Sequence, residues 1–156
     1  MIVWRIATEA PAYPANDLSG TGAKFTGGRW NSPGQAMLYA STTIALAALE
    51  TIVHLSQGGL PLNRYLVRID IPDSTWAKRM ELTLDTAPGG WDSLPAGFTS
   101  VNHGDQWLVS QSSAVLVVPS IVVPEEQNVL LNPAHQDAAA FTSTTVRKWL
   151  YDTRLR

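Results

Sequence analysis

The segment Arg64–Ile71 alternates between polar and apolar side chains, and this pattern constrains the fold more than any other part of the sequence. One face carries Tyr65, Val67, Ile69 and Ile71, and the other carries Arg64, Arg68 and Asp70. Such alternation is typical of a strand with one buried face. A second constraint is the continuous apolar run Ala114–Val118, closed by Pro119, which suits a central strand. The chain is therefore expected to build its core on a β-sheet.

Short runs elsewhere complete the expected layout. The further strand candidates are Ile2–Ile6, Met37–Ala40, Met80–Leu84, Val129–Leu131 and Val146–Leu150. Two stretches rich in turn residues, Pro11–Gly34 and Pro88–Gly104, are expected to be irregular, and a short helix is predicted at Gly104–Ser110. Since no repeat or linker divides the sequence, residues 1–156 are expected to form a single compact α+β domain with a mostly antiparallel sheet and flanking helices.

A longer helix is predicted from about Thr42 to Ser56, because hydroxyl residues can cap its start and Gly58 and Gly59 follow its end. Glu50 stands out in it, since three of its four neighbours at helical spacing are apolar. A carboxylate turned toward an apolar surface is costly unless it is paired or lines a cleft. The spacing leaves two interpretations open: a structural glutamate that reaches solvent or an ion pair, and a carboxylate at a functional site.

Two further segments carry polar groups in unusual settings. Gly27–Gly34 places Arg29 beside adjacent glycines, where the guanidinium could bind a phosphate or carboxylate, or could lie on an ordinary surface turn. Gln111–Ser120 has hydroxyl groups at the start and the end of the predicted central strand. These hydroxyls fit either a functional strand end or simple strand capping.

Composition excludes several classes of function. The net charge of −2 and the short basic clusters disfavour direct binding of DNA or RNA. The absence of cysteine excludes thiol catalysis, disulfides and thiolate metal sites. His54, His103 and His135 lack ligand spacing, so no metal site is expected. No signal peptide or membrane-length apolar run is recognisable, and a cytoplasmic protein without membrane association is expected.

Together these motifs resemble the RES domain, the toxin component of RES–Xre toxin–antitoxin pairs. The family is named for an Arg, a Glu and a Ser, which match Arg29, Glu50 and Ser113. An alignment shifted by one residue would place the family serine at Ser112 instead. Tyr39 matches the active-site tyrosine of the family.

The resemblance spans nearly the whole chain. Trp4-Arg5-Ile6 is similar to the opening strand of the family, Leu131–His135 to a late Asn-Pro-x-His segment, and Tyr151–Leu155 to the closing strand end. Each motif is weak alone, but their order and spacing together are specific.

The resemblance implies a fold similar to that of ADP-ribosyltransferase toxins, with NAD⁺ as the substrate and growth arrest as the outcome. It implies cleavage of the nicotinamide–ribose bond by an NAD⁺ phosphorylase or glycohydrolase, with inorganic phosphate as a candidate co-substrate and no permanently bound cofactor. The expected partner is a cognate Xre-like antitoxin that covers the active site, and a homo-oligomer within that complex is a further expectation.

Chemical roles follow for the matched residues. Glu50 would stabilise the positive charge that develops on the ribose, Arg29 would hold a phosphate, and Tyr39 would stack on nicotinamide. Ser113 would bind the substrate or orient Glu50. The remaining substrate contacts are expected from Ser41, Ser112 and Asn132, and a second anion pocket from Arg5, Lys24 or Arg68.

Three alternatives stay open. The first is a mono-ADP-ribosyltransferase that modifies a cellular protein. The second is a non-catalytic nucleotide-binding module that keeps the pocket. The third is a nuclease toxin, which the acidic balance and the scattered histidines disfavour.

Overall fold

The computed structural model describes residues 1–55 and 59–155. The helices of this part of the chain are α1 (Thr21–Thr26), α2 (Ile44–Ile52), α3 (Asp73–Ala77) and α4 (Phe98–Ser110). The strands are β1 (Ile2–Ala7), β2 (Leu38–Ser41), β3 (Tyr65–Asp70), β4 (Met80–Glu81), β5 (Val115–Pro119), β6 (Gln127–Leu131) and β7 (Thr142–Lys148). A 3₁₀ turn, Gln136–Ala140, precedes β7.

The strands form one sheet in the order β4-β5-β6-β2-β1-β3-β7. Neighbouring strands are antiparallel except for the short parallel pair of β4 and β5. The predicted α+β class with a mostly antiparallel sheet is therefore confirmed. Among the residues that the structure describes, no helix has both the length and the apolar character needed to cross a membrane.

The two predicted buried strands form much of the core. Every residue of β5 is buried, as its continuous apolar sequence predicts. In β3, Val67 and Ile69 are fully buried and belong to the same apolar cluster as Val3 of β1 and Val129 of β6. Each fully buried side chain of this size contributes about 1.5–3 kcal/mol through removal of apolar surface from water. These two strands, each second from an edge of the sheet, thus supply much of the buried apolar surface.

The sheet is split between β1 and β2. These neighbours share a single paired position, Trp4 with Ser41, whereas β1 and β3 pair from Ile2–Asp70 to Ala7–Tyr65. Because strands that diverge leave space between their backbones, the split opens a cavity in the middle of the sheet. This cavity is the setting of the candidate site.

Two segments predicted to be irregular contain helical residues. Pro11–Gly34 contains α1, and the irregular segment predicted at Pro88–Gly104 ends in the first half of α4. α4 begins after Gly97 without a side-chain cap, so the usual start signal is missing from the sequence. α2 ends at Ile52, and the predicted end at Ser56 and the stop at Gly58 lie outside the described residues.

Two strands also differ from their predicted ranges. β7 occupies Thr142–Lys148 rather than Val146–Leu150, because it pairs with β3 from Asp70–Thr142 to Tyr65–Lys148. Six of its seven side chains are exposed, so hydrophobic alternation could not locate it. β4 covers Met80–Glu81 only, although the Leu82 amide still donates to the Val117 carbonyl at 2.8 Å.

Candidate active site

A cavity of about 1010 Å³ lies where β1 and β2 separate. Arg5 of β1, Tyr39 and Ser41 of β2, and Glu50 of α2 all line it. Arg29 lines it from the turn after α1. The cavity therefore brings together the predicted arginine, tyrosine and glutamate, which are separated by up to 21 positions in the sequence.

Glu50 reaches the cavity because of how α2 is capped and packed. The Thr43 hydroxyl caps the helix by accepting from the Leu46 amide at 3.1 Å. Leu46, Ala47 and Ala48 are buried, which leaves Glu50 on the half-buried side of the helix. The helix thus presents the carboxylate to the cavity while its apolar side joins the core.

The Glu50 carboxylate is held by two hydrogen-bond donors on one oxygen. Its Oε1 accepts from the Ser120 hydroxyl at 2.7 Å and from the Asn128 side-chain amide. Within the described part of the chain, Oε2 accepts no hydrogen bond and no arginine or lysine forms an ion pair with Glu50. The structural ion pair that the sequence left open is therefore not what holds this glutamate.

The Ser120 hydroxyl has a fixed direction. Its oxygen accepts from the Val122 amide at 3.0 Å and from the Val123 amide at 3.1 Å. Since both amides can only donate, the hydroxyl proton is directed to Glu50. Ser120 is fully buried at the end of β5, so this arrangement is shielded from competing water.

The structure does not bring Ser113 to Glu50, contrary to the role predicted for it. Ser113 is buried before β5, where it accepts from the Trp107 indole at 2.9 Å and donates to the Val115 carbonyl at 2.8 Å. It and Ser120 are at opposite ends of the strand, about 23 Å apart at the rise of an extended chain. Ser120 was within the hydroxyl-bearing segment that the sequence singled out, at its other end.

Two more predicted substrate contacts lie away from the cavity. Ser112 is exposed and its hydroxyl contacts Ser110 and Met80. Asn132 is buried, donates to the Leu108 carbonyl at 3.1 Å and accepts from the Ala134 amide at 3.1 Å. Its amide therefore joins β6 to α4, which is a structural use of the side chain.

Ser41 does line the cavity, but its hydroxyl is directed at another side chain. It donates to Asn128 Oδ1 at 2.7 Å, and Asn128 in turn contacts Glu50. Sequence reasoning missed Asn128, because only the pairing of β2 with β6 places it opposite Ser41.

Arg29 is held at the cavity wall by backbone carbonyls. Its Nη1 donates to the Trp91 carbonyl and to the Ser93 carbonyl, both at 3.0 Å. The turn that carries it is closed by the Gly28 amide donating to the Asn31 carbonyl at 2.9 Å. Arg29 thus joins this turn to the segment that precedes α4.

Tyr39 stabilises the same turn through hydrogen bonds of its hydroxyl group. Its hydroxyl donates to Asn31 Oδ1 at 2.7 Å and accepts from the Trp30 amide at 3.0 Å. A Cβ on Gly28 would lie 2.6 Å from that hydroxyl, so the turn needs glycine at this position. Burial raises the pKa of the Tyr39 phenol above its usual value, and the group stays neutral.

Arg5 supplies a cation inside the cavity. Burial lowers the pKa of its guanidinium, and the nearby Asp17 and Tyr13 oppose that shift. The side chain stays charged, since arginine does not lose its proton in proteins. Of the three arginine and lysine candidates for a second anion pocket, Arg5 lines the cavity, whereas Lys24 is exposed outside it and Arg68 pairs with Asp70 at 2.5 Å.

The geometry suits a substrate with two kinds of charge. Arg5 and Arg29 can receive anionic groups, and the free Oε2 of Glu50 can face a centre on which positive charge develops. Tyr39 adds an aromatic side chain to the lining of the same cavity. No covalent nucleophile is required by such an arrangement, because charge stabilisation alone can promote heterolysis.

Comparison with a solved structure shows the fold class. A chain of the crystal structure of the M. tuberculosis MbcT–MbcA toxin–antitoxin complex superposes with a TM-score of 0.67 and 16% identity, covering 94% of this chain and 84% of that chain. The fold is that of the toxin MbcT.

The sequence identifies the family within that class. The RES domain matches residues 2–153. A Prs ADP-ribosylating toxin of Sphingobium sp. (strain YBL2) is 57% identical over 152 residues, which are 97% of this chain and 94% of the relative. A Toxin Res of Yersinia enterocolitica serotype O:8 is 38% identical over 157 residues and matches over the full length of both chains. The chain belongs to the RES domain family and is a toxin of the toxin–antitoxin class.

Proposed function

We propose that the chain cleaves the nicotinamide–ribose bond of NAD⁺ and transfers the ADP-ribosyl group to an acceptor. The observation that carries this proposal is the Glu50 carboxylate, which is anchored through Oε1 and open at Oε2 in a large cavity. The family membership and the 57% identity to an ADP-ribosylating toxin support the same chemistry.

In the proposed reaction, the bond between ribose C1′ and the nicotinamide nitrogen breaks first. Its electron pair goes to the nicotinamide ring, which leaves as a neutral molecule, and positive charge develops on C1′ and the ribose oxygen. Glu50 Oε2 stabilises this charge electrostatically. Removal of a preorganised group of this kind typically costs about 10²–10³-fold in kcat.

The cationic side chains would orient the other half of the substrate. Arg5 is half-buried at the cavity and stays charged, so it suits the pyrophosphate of NAD⁺. Arg29 uses Nη1 for two carbonyls, which holds its guanidinium at the cavity wall beside the same anion. Tyr39 would stack on the nicotinamide ring through its face, since its hydroxyl is already engaged.

For the acceptor we propose Prs, the target named for the relative that is 57% identical. A nucleophilic atom of the acceptor would bond to C1′ and release its proton. The same cation could instead be trapped by inorganic phosphate, giving ADP-ribose 1-phosphate, or by water, giving ADP-ribose. These outcomes share the cleavage step and differ only in the product.

The decisive experiment incubates the pure protein with NAD⁺ and follows nicotinamide by chromatography. Parallel reactions contain Prs, phosphate or neither, and intact-protein mass spectrometry detects ADP-ribose on Prs. We expect nicotinamide release with label on Prs. Free ADP-ribose 1-phosphate or ADP-ribose would replace the acceptor proposal, and NAD⁺ binding without nicotinamide in any reaction would indicate the non-catalytic module instead.

A matched pair of variants assigns the activity to the cavity. Glu50→Gln removes the charge and is expected to lower kcat by about 10²-fold or more. Glu125→Gln makes the same change on an exposed loop outside the cavity and is expected to keep the activity. Equal activity of the two variants would exclude Glu50 from the chemistry.

We also propose that a cognate Xre-like antitoxin binds over the cavity. The fold similarity to a chain of a toxin–antitoxin complex supports a partner of this kind. Co-expression with a small helix-turn-helix protein of the Xre type should give a stable complex on gel filtration. That complex should release no nicotinamide at a protein concentration where the free toxin does.

A further inference from the structure

We propose that Asn128 and Ser41 are positioning residues for Glu50, with Ser41 acting through Asn128. The inference rests on the proposed cleavage of NAD⁺. It assigns to Asn128 the task of holding one oxygen of the Glu50 carboxylate, and to Ser41 the task of holding the Asn128 amide in place by donating to its oxygen.

Hydrogen-bond capacity determines the direction of the Asn128 amide. An ionised carboxylate only accepts hydrogen bonds, so the amide atom facing Glu50 Oε1 must be the NH₂ group. The amide oxygen then faces Ser41, whose hydroxyl donates to it at 2.7 Å. If the amide turned over, its oxygen would face the carboxylate and that contact would become repulsive, whereas the Ser41 hydroxyl would accept from the NH₂ group instead.

The fold holds these three groups in register. Ser41 and Asn128 are directly opposite each other in the pairing of β2 with β6. Ser41 is 3% exposed, so its hydroxyl has little access to water. The Ser41 hydroxyl, the Asn128 amide and the Glu50 carboxylate therefore form a chain from the sheet to the cavity.

Glu50 needs such positioning because its terminal torsion is soft. The last torsion of a glutamate side chain has a broad, roughly two-fold distribution. Two donors on Oε1, from Ser120 and Asn128, fix this torsion and leave Oε2 toward the cavity. A hydrogen bond to a charged group of this kind corresponds to about tenfold to a hundredfold in rate when it is lost.

The comparison of two Asn128 variants separates positioning from simple packing. Asn128→Asp keeps the shape of the side chain but places a second carboxylate against Glu50, whereas Asn128→Ala removes the group. We expect kcat to fall about tenfold to a hundredfold in Asn128→Ala and further in Asn128→Asp, with KM for NAD⁺ changed less than threefold in both. A packing role predicts the opposite order, because the isosteric variant would be the milder one.

Ser41→Ala tests the second step of the chain. It should lower kcat about threefold to tenfold on its own, since the oxygen of the Asn128 amide loses the donor that holds the side chain in place. In the double variant Ser41→Ala/Asn128→Ala, kcat should equal that of Asn128→Ala alone. Ser143→Ala on β7, which also loses one hydrogen bond to a single acceptor, and Asn102→Asp on the exposed side of α4 serve as controls.

Two outcomes would overturn the proposal. The first is an Asn128→Asp variant that is more active than Asn128→Ala. The second is a double variant whose fold loss in kcat equals the product of the losses in Ser41→Ala and Asn128→Ala. Failure of the proposed function is a different result, in which the wild-type protein releases no nicotinamide. In that case the side-chain NH₂ protons of Asn128 provide the readout by NMR. Their resonances should move in both Glu50→Ala and Ser41→Ala, and no movement in either would refute the hydrogen-bond chain itself.

Discussion

The carboxylate of Glu50 is tolerated beside an apolar helix face because donors replace the water that it loses. Ser120 and Asn128 both donate to Oε1, and each comes from a strand end rather than from the helix itself. A buried carboxylate without partners would cost several kcal/mol. At the scale of single residues, the site thus depends on two neutral donors that are 70 and 78 positions away from Glu50 in the sequence.

Ser120→Ala and Ser113→Ala should affect different properties, the first the catalytic rate and the second the stability. Ser120→Ala removes a donor from Glu50, and we expect kcat for nicotinamide release to fall about tenfold to a hundredfold. Ser113→Ala leaves the Trp107 indole without its acceptor, and we expect a loss of about 1–3 kcal/mol in the free energy of unfolding. Steady-state kinetics and urea denaturation of both variants provide the measurements. A large kcat loss confined to Ser113→Ala would return the role to that residue.

Tyr39→Phe should lower stability in a pH-dependent way. Burial raises the pKa of the folded phenol, so the unfolded chain loses the proton first as the pH rises past about 10. The wild-type protein therefore loses stability above that pH, and the phenylalanine variant lacks this component. We expect the variant to be about 1–3 kcal/mol less stable at pH 8, because Trp30 and Asn31 lose their partner, and the gap to narrow by pH 11.

Urea denaturation at the two pH values measures the gap, and Tyr13→Phe is a control for tyrosine removal elsewhere at the cavity. A gap that stays constant between pH 8 and pH 11 would contradict the role of burial at Tyr39.

Residue-level reasoning predicted part of the site for a clear physical reason. Glu50 was visible from the sequence because its neighbours on one helix are fixed by a period of 3.6 residues. Ser120 and Asn128 were not, since their contact with Glu50 depends on how separate strands align. Ser113 and Ser120 could not be told apart for the same reason, because sequence does not say which end of β5 faces the cavity.

At the scale of elements, α4 is docked onto the turn that carries Arg29. Asp105 of α4 accepts from the Ser32 amide at 3.0 Å and from the Ser32 hydroxyl at 2.5 Å. Gly104 lies against the Trp30 carbonyl so closely that a Cβ would be 1.7 Å from its oxygen. The helix and the turn therefore form one unit, and Arg29 keeps its position only while α4 stays docked.

Gly104→Ala tests this docking. An alanine in a helix is ordinarily more favourable than glycine by up to about 1 kcal/mol. Here the clash with backbone must displace either α4 or the turn, so we expect a net loss of about 1–3 kcal/mol or more by urea denaturation, with weaker NAD⁺ cleavage. Gly22→Ala in α1 is the control, because its Cβ would meet only Tyr13 at 3.9 Å and should be neutral or stabilising. Equal stability changes in the two variants would refute the docking argument.

The elements that the sequence predicted correctly are those whose own residues show a hydrophobic pattern typical of a strand. β3 and β5 were identified because alternation and continuous burial are properties of a short segment. The start of α4 and the position of β7 were missed, since the first has no capping side chain and the second has an exposed face on both sides. The bounds of such elements depend on contacts with segments that are distant in the sequence, so no local sequence pattern predicts them.

At the scale of the whole molecule, the split between β1 and β2 couples ligand binding to the sheet. The two halves meet at Trp4–Ser41, and the cavity separates them beyond that pair. A ligand that fills the cavity contacts both halves. The fold class predicted from the sequence did not include this split, because it arises from strands that are neighbours without being fully paired.

NAD⁺ should therefore stabilise the molecule as a whole. In Glu50→Gln, where the substrate persists, NAD⁺ at about 100 times its Kd should add about 2.7 kcal/mol, or about 5–11 °C in Tm for a chain of this size. Arg5→Ala in the same background should reduce the shift at equal NAD⁺, since the half-buried cation in β1 is lost. Arg147→Ala on β7, outside the cavity, is the matched control and should keep the full shift. Hydrogen exchange would localise the effect, with slower exchange expected in both β1 and β2. Protection of one strand alone would mean that the ligand occupies only one wall of the cavity, and the coupling between the two halves of the sheet would then be wrong.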